Sequence, residues 1–375
     1  MNIRVPKPTG EYAVGTFTYT VKNDRKEVMV PGTLRSVAAR VYYPALKESV
    51  KGLKKEKNYT RNVIIGLKRM MPLPLNYDKL EAAGQNESEC YLDVPKISGV
   101  KFPLILFNHG YGSYREGNSF LCAELASHGY VVISVAHSLE AVCVEFDDGS
   151  YIFSDKKAAK KLHQPLIPSL VAMSKLQKMK GTEKELADKF DEIQRKYSRF
   201  GMDRIDEWVK DCEAALLYAK TNFSDMIDFE KGIGATGLSF GGNTAYRLCT
   251  RKPEIKCGIN IDGALFGDYT KDTLNKPFIQ ISCEGHTNVV TRALINHSEP
   301  VYRVVFRDMK HVGFSDMKHA MKPGNAIGKL DADMMHENLC RCHLELFDTY
   351  LKGIKSEPEL KSNDVITVKK YEKDI

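Results

Sequence analysis

The chain has 375 residues, 43% hydrophobic and 27% charged, the mix of an ordinary globular protein. That excludes a mostly disordered chain, a collagen-like chain and a coiled-coil rod. The net charge of +7 comes from 55 basic and 48 acidic residues, with no basic stripe of the kind a nucleic-acid partner wants.

The N-terminal stretch reads as antiparallel strands. Residues 12–20 are rich in β-formers, and Val37-Ala38-Ala39-Arg40-Val41-Tyr42-Tyr43 follows a Pro-Gly turn. Residues 45–100 read as a mixed, loop-rich insertion. Within it Val63–Leu67 and Met70–Leu75 are apolar, with Lys68 and Arg69 between them. The pattern then changes. Phe102–Phe107 is a short apolar run ending in His109-Gly110-Tyr111-Gly112, residues 119–128 read as a helix stopped by Gly129, and Tyr130–Val135 is the next apolar run. Apolar runs alternating with helices predict a mostly parallel sheet covered on both faces.

Residues 150–203 form a second insertion, rich in Lys, Glu and Asp, expected to be helical and solvated. Ile205, Trp208, Val209, Cys212, Leu216 and Ala219 then mark a helix with one apolar face. Later strands are expected at 257–261, 278–282 and 302–306, and a last helix over 334–352 with Gly353 as its stop. The tail beyond 354 carries no signal. One α/β domain over residues 1–375, with the two insertions, accounts for this order.

The nine cysteines have no disulfide-framework spacing, and Met1–Pro6 lacks the apolar run of a secretory signal. No stretch approaches about 18 apolar residues. A reducing, cytoplasmic setting with free thiols is expected. Cys340-x-Cys342-His343, with His336 nearby, matches no common zinc spacing and falls on a helix face with Met335, Leu339 and Leu346, so core cysteines are expected there.

Gly237-Leu238-Ser239-Phe240-Gly241-Gly242 contains G-x-S-x-G between a short strand candidate and a helix at 243–251. That strand–turn–helix setting is the nucleophile elbow, where glycines make room for a sharp turn and an exposed serine hydroxyl. Serine needs a base to take its proton. His311 follows the 302–306 strand, where a base belongs, and His319 is a weaker candidate nearby. The acid has two candidates, each at a strand end: Asp262 and Glu284. Their placement alone leaves both open. Oxyanion donors are expected at the Phe240 amide, just after the nucleophile, and at the Tyr111 amide, in the glycine-flanked turn after an early strand. Gly232-Ile233-Gly234-Ala235-Thr236-Gly237 is a literal G-x-G-x-x-G. Its preceding residues, Ile227–Lys231, make a poor buried strand, which argues against a dinucleotide site.

These stretches together resemble the plasma-type platelet-activating-factor acetylhydrolase family of α/β-hydrolases. The resemblance rests on Phe107–Arg115, Leu125–Tyr130, Gly237–Gly242, Cys257–Asp262, His311 with the Phe-x-Asp of Phe314–Asp316, and the opening Gly10–Gly15 and Arg40–Pro44. It covers most of residues 8–355 and is dense only at the motifs. It implies an α/β-hydrolase fold and a triad of Ser239, Asp262 and His311, with Glu284 as the fallback acid. It further implies oxyanion donors at Tyr111 and Phe240. The implied activity is calcium-independent hydrolysis of short or oxidised sn-2 acyl esters of phospholipids, with no metal or organic cofactor. Departures are the small, Gly-rich strand before the elbow, the lack of a signal and the lack of Trp in Val63–Leu75. That segment, with Lys68 and Arg69, is expected either to make a weak membrane-surface contact or to be a loop covering the hydrolase core. The alternatives are a carboxylesterase for small soluble esters and an inactive hydrolase-fold binding module.

Overall fold

A computed structural model describes residues 4–22, 24–70, 77–162 and 164–372. The chain divides into two compact units. The first comprises residues 1–156, 210–232 and 315–322, and the second residues 157–209, 233–314 and 323–375.

The first unit opens with β1 (Ala13–Val21), β2 (Val37–Ala45) and β3 (Lys55–Lys57). Then come α1 (Arg61–Met70), α2 (Tyr77–Gly84), β4 (Glu87–Leu92), β5 (Leu104–Asn108), α3 (Ser119–Ser127), β6 (Val131–Ala136) and the short hairpin of β7 (Cys143–Glu145) and β8 (Tyr151–Phe153). β5 pairs parallel with β6, β6 antiparallel with β2, and β2 antiparallel with β1. β1 then pairs parallel with β4, and β4 antiparallel with β3. Every residue of β2, β5 and β6 is buried; β5 and β6 accordingly read as nearly continuous apolar runs, while in β2 the buried Arg40 donates to Thr16 Oγ1 at 3.0 Å. α3 is buried all round and ends where Gly129 takes a φ of +84°.

The 45–100 insertion is more ordered than its composition predicts. The Val63–Leu67 run lies on α1, where Val63, Ile64 and Leu67 pack with Tyr114, Val142 and Cys143. Ile65 is 38% exposed on the other side. Residues 71–75 of the expected apolar segment lie outside the described residues.

The second unit begins within α4 (Lys156–Ala159) and continues with α5 (Leu166–Lys178), α6 (Glu183–Tyr197) and α7 (Arg199–Asn222), so the 150–203 insertion is helical from Lys156 on, with β8 before it. α6 starts with a capping box, in which Thr182 Oγ1 accepts the Glu185 amide at 3.3 Å and Glu185 accepts the Thr182 amide at 2.8 Å. The second half of α7 belongs to the first unit. β9 (Ile233–Leu238), α8 (Phe240–Arg251), β10 (Ile255–Ile261), β11 (Phe278–Cys283) and β12 (Val301–Phe306) follow. After α9 (Met317–Ala320), part of the first unit, come α10 (Ala332–Phe347) and β13 (Ile366–Tyr371).

β9, β10, β11 and β12 are mutually parallel, and β13 closes this unit's sheet antiparallel to β12. β13 lies in the tail that carries no sequence signal. Its sequence alternates weakly, and its partner is 60 residues earlier at the Arg307–Thr367 contact.

Small residues in the strands let helices approach both faces. A Cβ on Gly258 would lie 2.9 Å from Phe278 and clash with Cys249 of α8. A Cβ on Gly234 would lie 2.6 Å from Phe347 of α10. Gly258 pairs with Ala235 and Cys257 with Gly234, so α8 and α10 cover opposite faces. The G-x-G-x-x-G is thus a strand whose glycines serve helix packing.

His343 is buried in α10 with both ring nitrogens engaged, Nδ1 by the Leu339 carbonyl at 2.7 Å and Nε2 by Thr236 Oγ1 at 2.9 Å. Cys340 and Cys342 are buried core residues.

Candidate active site

The Gly-rich run bends sharply at Ser239, which has φ +58° and ψ −118°. This is left-handed backbone that a serine adopts only when its surroundings enforce it. Two hydrogen bonds and two glycines do so. The Ser239 amide donates to the Ile261 carbonyl at 2.8 Å, and the Asn243 amide donates to the Ser239 carbonyl at 3.1 Å. Gly242 and Gly263 close the space around the turn. A Cβ on either would overlap Asn260 Oδ1 or the Ser239 carbonyl. Asn260, at the end of β10, donates to the Gly263 carbonyl at 2.7 Å and accepts the Gly263 amide at 2.9 Å. It thereby clamps the turn that carries Asp262, itself at φ +55°.

Three side chains from three strand ends meet at this point. His311 Nδ1 donates to Asp262 Oδ2 at 2.7 Å. With that tautomer, Nε2 accepts the Ser239 hydroxyl at 2.9 Å. His311 is 36% exposed, so a substrate can reach the pair, whereas Asp262 is buried. Burial works against a charged Asp262, but hydrogen bonds from His286 and His311 hold its carboxyl below the usual carboxylate range.

Glu284 does not touch His311. Its Oε2 accepts the Asp308 amide at 3.1 Å, three residues before His311. The same residue's carbonyl takes the Lys329 amide at 2.7 Å, so the His311 loop is pinned from two sides. His319, the weaker base candidate, packs its ring against Phe120 at 5.3 Å in the first unit. Phe240 opens α8, where helix amides point outward without intrahelical acceptors. Its ring meets buried Trp208 edge-on at 4.8 Å and stacks with Phe266 at 6.1 Å, an apolar wall beside the elbow.

Tyr111 lies in the first unit, in the turn after β5. The Gly112 amide donates to the Glu140 carbonyl at 2.8 Å, and Gly112 has φ +70°. His109 braces this turn. Its Nδ1 donates to the Gly110 carbonyl at 2.7 Å, and its Nε2 accepts the His137 amide at 3.2 Å. Burial lowers the His109 pKa to about 3, which keeps the ring neutral as this pairing needs.

His286 escaped the sequence reading. It sits two residues after Glu284, and its Nδ1 donates to Asp262 Oδ2 at 2.9 Å. Burial opposes its charge, but bonds with Asp262 and Cys283 and the Asp262 charge outweigh burial and raise its pKa to about 10. The only hint in sequence was its place at the same strand end as the fallback acid. Asp262, His286 and His311 have metal-ligand chemistry, with ligand atoms within 4.8 Å of one another. Here both imidazoles spend Nδ1 on one carboxylate oxygen, which accounts for the cluster without an ion.

The profile of the family described as platelet-activating factor acetylhydrolase, isoform II, matches residues 1–330. The chain is 26% identical over 275 residues to a platelet-activating factor acetylhydrolase of Canis lupus familiaris, covering 69% of this chain and 55% of that protein. It is 26% identical over 294 residues to that of Cavia porcellus, covering 75% and 60%. The chain thus aligns with little more than half the length of these relatives. A ferulic acid esterase from Streptomyces cinnamoneus superposes with a TM-score of 0.68 over 96% of both chains at 19% identity, a likeness of fold. The mixed sheet with helices on both faces is the α/β-hydrolase fold. With the match running through the elbow, Asp262 and His311, this chain belongs to the platelet-activating factor acetylhydrolase, isoform II family.

Proposed function

We propose that the protein is a serine ester hydrolase that cleaves short or oxidised sn-2 acyl esters of phospholipids, without calcium, through an acyl-enzyme. The observation that carries this reading is the unbroken chain from Ser239 Oγ through His311 to Asp262, at 2.9 and 2.7 Å, on a strained elbow. Ser239 Oγ attacks the ester carbonyl carbon, and its proton passes to His311 Nε2. Asp262 keeps Nδ1–H oriented and supports the imidazolium. The Phe240 amide receives the oxyanion, and the family resemblance assigns the second donor to the Tyr111 amide. The carbon–oxygen bond to the glycerol breaks, and that oxygen takes the proton from His311. Water, deprotonated by His311, then attacks the acyl-serine, freeing the carboxylate and returning the proton to Ser239. The phospholipid substrate is supported by the family and by the names of its relatives. A membrane contact near Val63–Leu75 would use exposed Ile65, Lys68 and Arg69.

The test compares hydrolysis of an sn-2-acetyl phosphatidylcholine with p-nitrophenyl butyrate, in chelator, with Ser239→Ala as blank. Serine-dependent turnover of both, each competing with the other, is expected. Turnover of the small ester alone would leave a general carboxylesterase. No serine-dependent turnover of either would leave a binding module.

A further inference from the structure

The net charge of the chain is unevenly placed. Residues 157–182 contain Lys157, Lys160, Lys161, Lys175, Lys178 and Lys180 and no acidic residue, so they hold six of its seven units of net positive charge. Within this stretch lies α5, which faces the wrong way for a core helix. Leu166, Ile167, Leu170 and Val171 are 52%, 74%, 57% and 49% exposed. At 3.6 residues per turn Lys178 lies on their side of the helix and Lys175 at its edge. The opposite side holds Ala172, Met173 and Leu176, packed on Leu186, Phe190, Ile193 and Val289.

The exposure does not come from a loose helix. The Gln164 amide, just before α5, donates to the Tyr197 carbonyl at 2.8 Å. At the other end the Asn288 side chain donates to the carbonyls of Leu176, Gln177 and Met179 at 3.1, 3.2 and 2.8 Å. Nor is the basic character cancelled by α6, whose Asp188 pairs with Lys184 and Arg292 and whose Glu192 pairs with Lys189.

We propose that α5 and its flanking lysines are a docking surface for a bilayer bearing anionic phospholipid. The four apolar side chains enter the headgroup–acyl boundary while the lysines reach lipid phosphates and carboxylates. A rigid apolar face ringed by one sign of charge fits a surface that is apolar at depth and negative at its rim. Among the described residues no helix is long and apolar enough to cross a membrane, and α5, with 13 residues, would lie in the interface plane. α1 differs, since its Val63, Ile64 and Leu67 are used in packing. The Asn288 clamp also ties α5 to the segment of His286, two residues earlier, which bonds Asp262. A docked α5 therefore holds the Ser239 cluster close to the lipid that supplies its substrate. This deepens the phospholipid reading and rests on it for the purpose of docking, but the binding is measured without turnover.

The test is cosedimentation of the full chain with vesicles of phosphatidylcholine alone and of phosphatidylcholine mixed with phosphatidylserine. The variants are Ile167→Ser with Leu170→Ser, and Lys175→Gln with Lys178→Gln, all at exposed positions away from Ser239. Wild type is expected to bind the mixed vesicles well above phosphatidylcholine alone, and less as salt rises. The serine pair should lower the partition coefficient by at least about tenfold, and each lysine removed by about fivefold. Rates on p-nitrophenyl butyrate should match wild type, which reports intact folding. Three results overturn the proposal: no vesicle binding by wild type, equal binding by all variants, or self-association without lipid that the serine pair abolishes, which would make a second copy the occupant. If vesicles bind as expected but neither ester turns over, the hydrolase reading falls and the docking surface stands.

Discussion

Replacing His286 by Asn tests how the second imidazole acts on the cluster. Asn keeps a donor near the position of Nδ1 and removes the charge. The His286 and His311 rings are 5.3 Å apart, and both share Asp262 Oδ2. With a pKa raised to about 10, His286 is a cation across the working range. It offsets the Asp262 charge and repels the positive charge that His311 takes on during the reaction. At this separation two unit charges interact by about 3 kcal/mol at an effective dielectric constant of ~20 and by less than about 1 kcal/mol in bulk water. The side chains are 29% and 36% exposed, so an intermediate value applies, equivalent to about one pH unit. The reaction needs a neutral His311, so losing the cation moves the acidic limb of the kcat/KM profile upward by that amount. The assay is kcat/KM for p-nitrophenyl butyrate between about pH 5 and 9, at low and high salt, with the shift shrinking in salt. Stability gives an independent check. A histidine pKa raised on folding contributes stability fully present below about 6.5 and lost as pH rises through its folded value near 10. The melting-temperature deficit of His286→Asn should therefore be largest near pH 6 and fade toward pH 10. An acidic limb that stays put or moves down, in a folded variant, would falsify the electrostatic role.

Ser239→Ala should lower turnover by at least about ten-thousand-fold while stability, read by thermal melting, stays within about 1 kcal/mol. Retained turnover would remove the elbow serine from the mechanism. Asp262→Asn should reduce kcat by about ten-thousand-fold through loss of the imidazole's orientation and charge partner. Glu284→Gln should stay within about tenfold, because an amide oxygen still accepts the Asp308 amide. The reverse order in steady-state kinetics would move the acid to Glu284. Gly242→Ala places a Cβ against Asn260 Oδ1 and 2.8 Å from the Gly237 carbonyl. It should destabilise the protein by about 1–3 kcal/mol in chemical denaturation, and an unchanged midpoint would show that the turn yields more easily than its contacts imply.

Much of the architecture was legible because its signals are local. Leu104–Phe107 and Val131–Ala136 announce buried strands by nearly continuous apolar runs, and Gly129 and Gly353 mark helix ends by taking φ of +84° and +68°. The tail strand Ile366–Tyr371 was not legible, because an edge strand is made by its partner, and Val301–Phe306 lies far away in the chain. α5 is the sharper case. Its residues Leu166, Ile167, Leu170 and Val171 give a helical apolar pattern, but a pattern does not say which face meets the core. Leu176 and Met173, anchored on α6, decide that the other face is exposed.

At the candidate site the sequence by itself determined the residue types that a strand end can offer: a serine in a glycine-rich turn, a histidine after a late strand, and two carboxylates one strand apart. These follow from short-range chemistry, since glycine spacing and apolar runs act over a few residues. The family resemblance already favours Asp262 as the acid, but only the tertiary structure shows Asp262 reaching His311 while Glu284 holds the Asp308 amide, and His286 joining the same carboxylate. That choice depends on how far each strand extends and how each turn aims its first side chain. Positive φ at Asp262 and Asp308 sets those directions, and parallel pairing brings together turns that lie tens of residues apart.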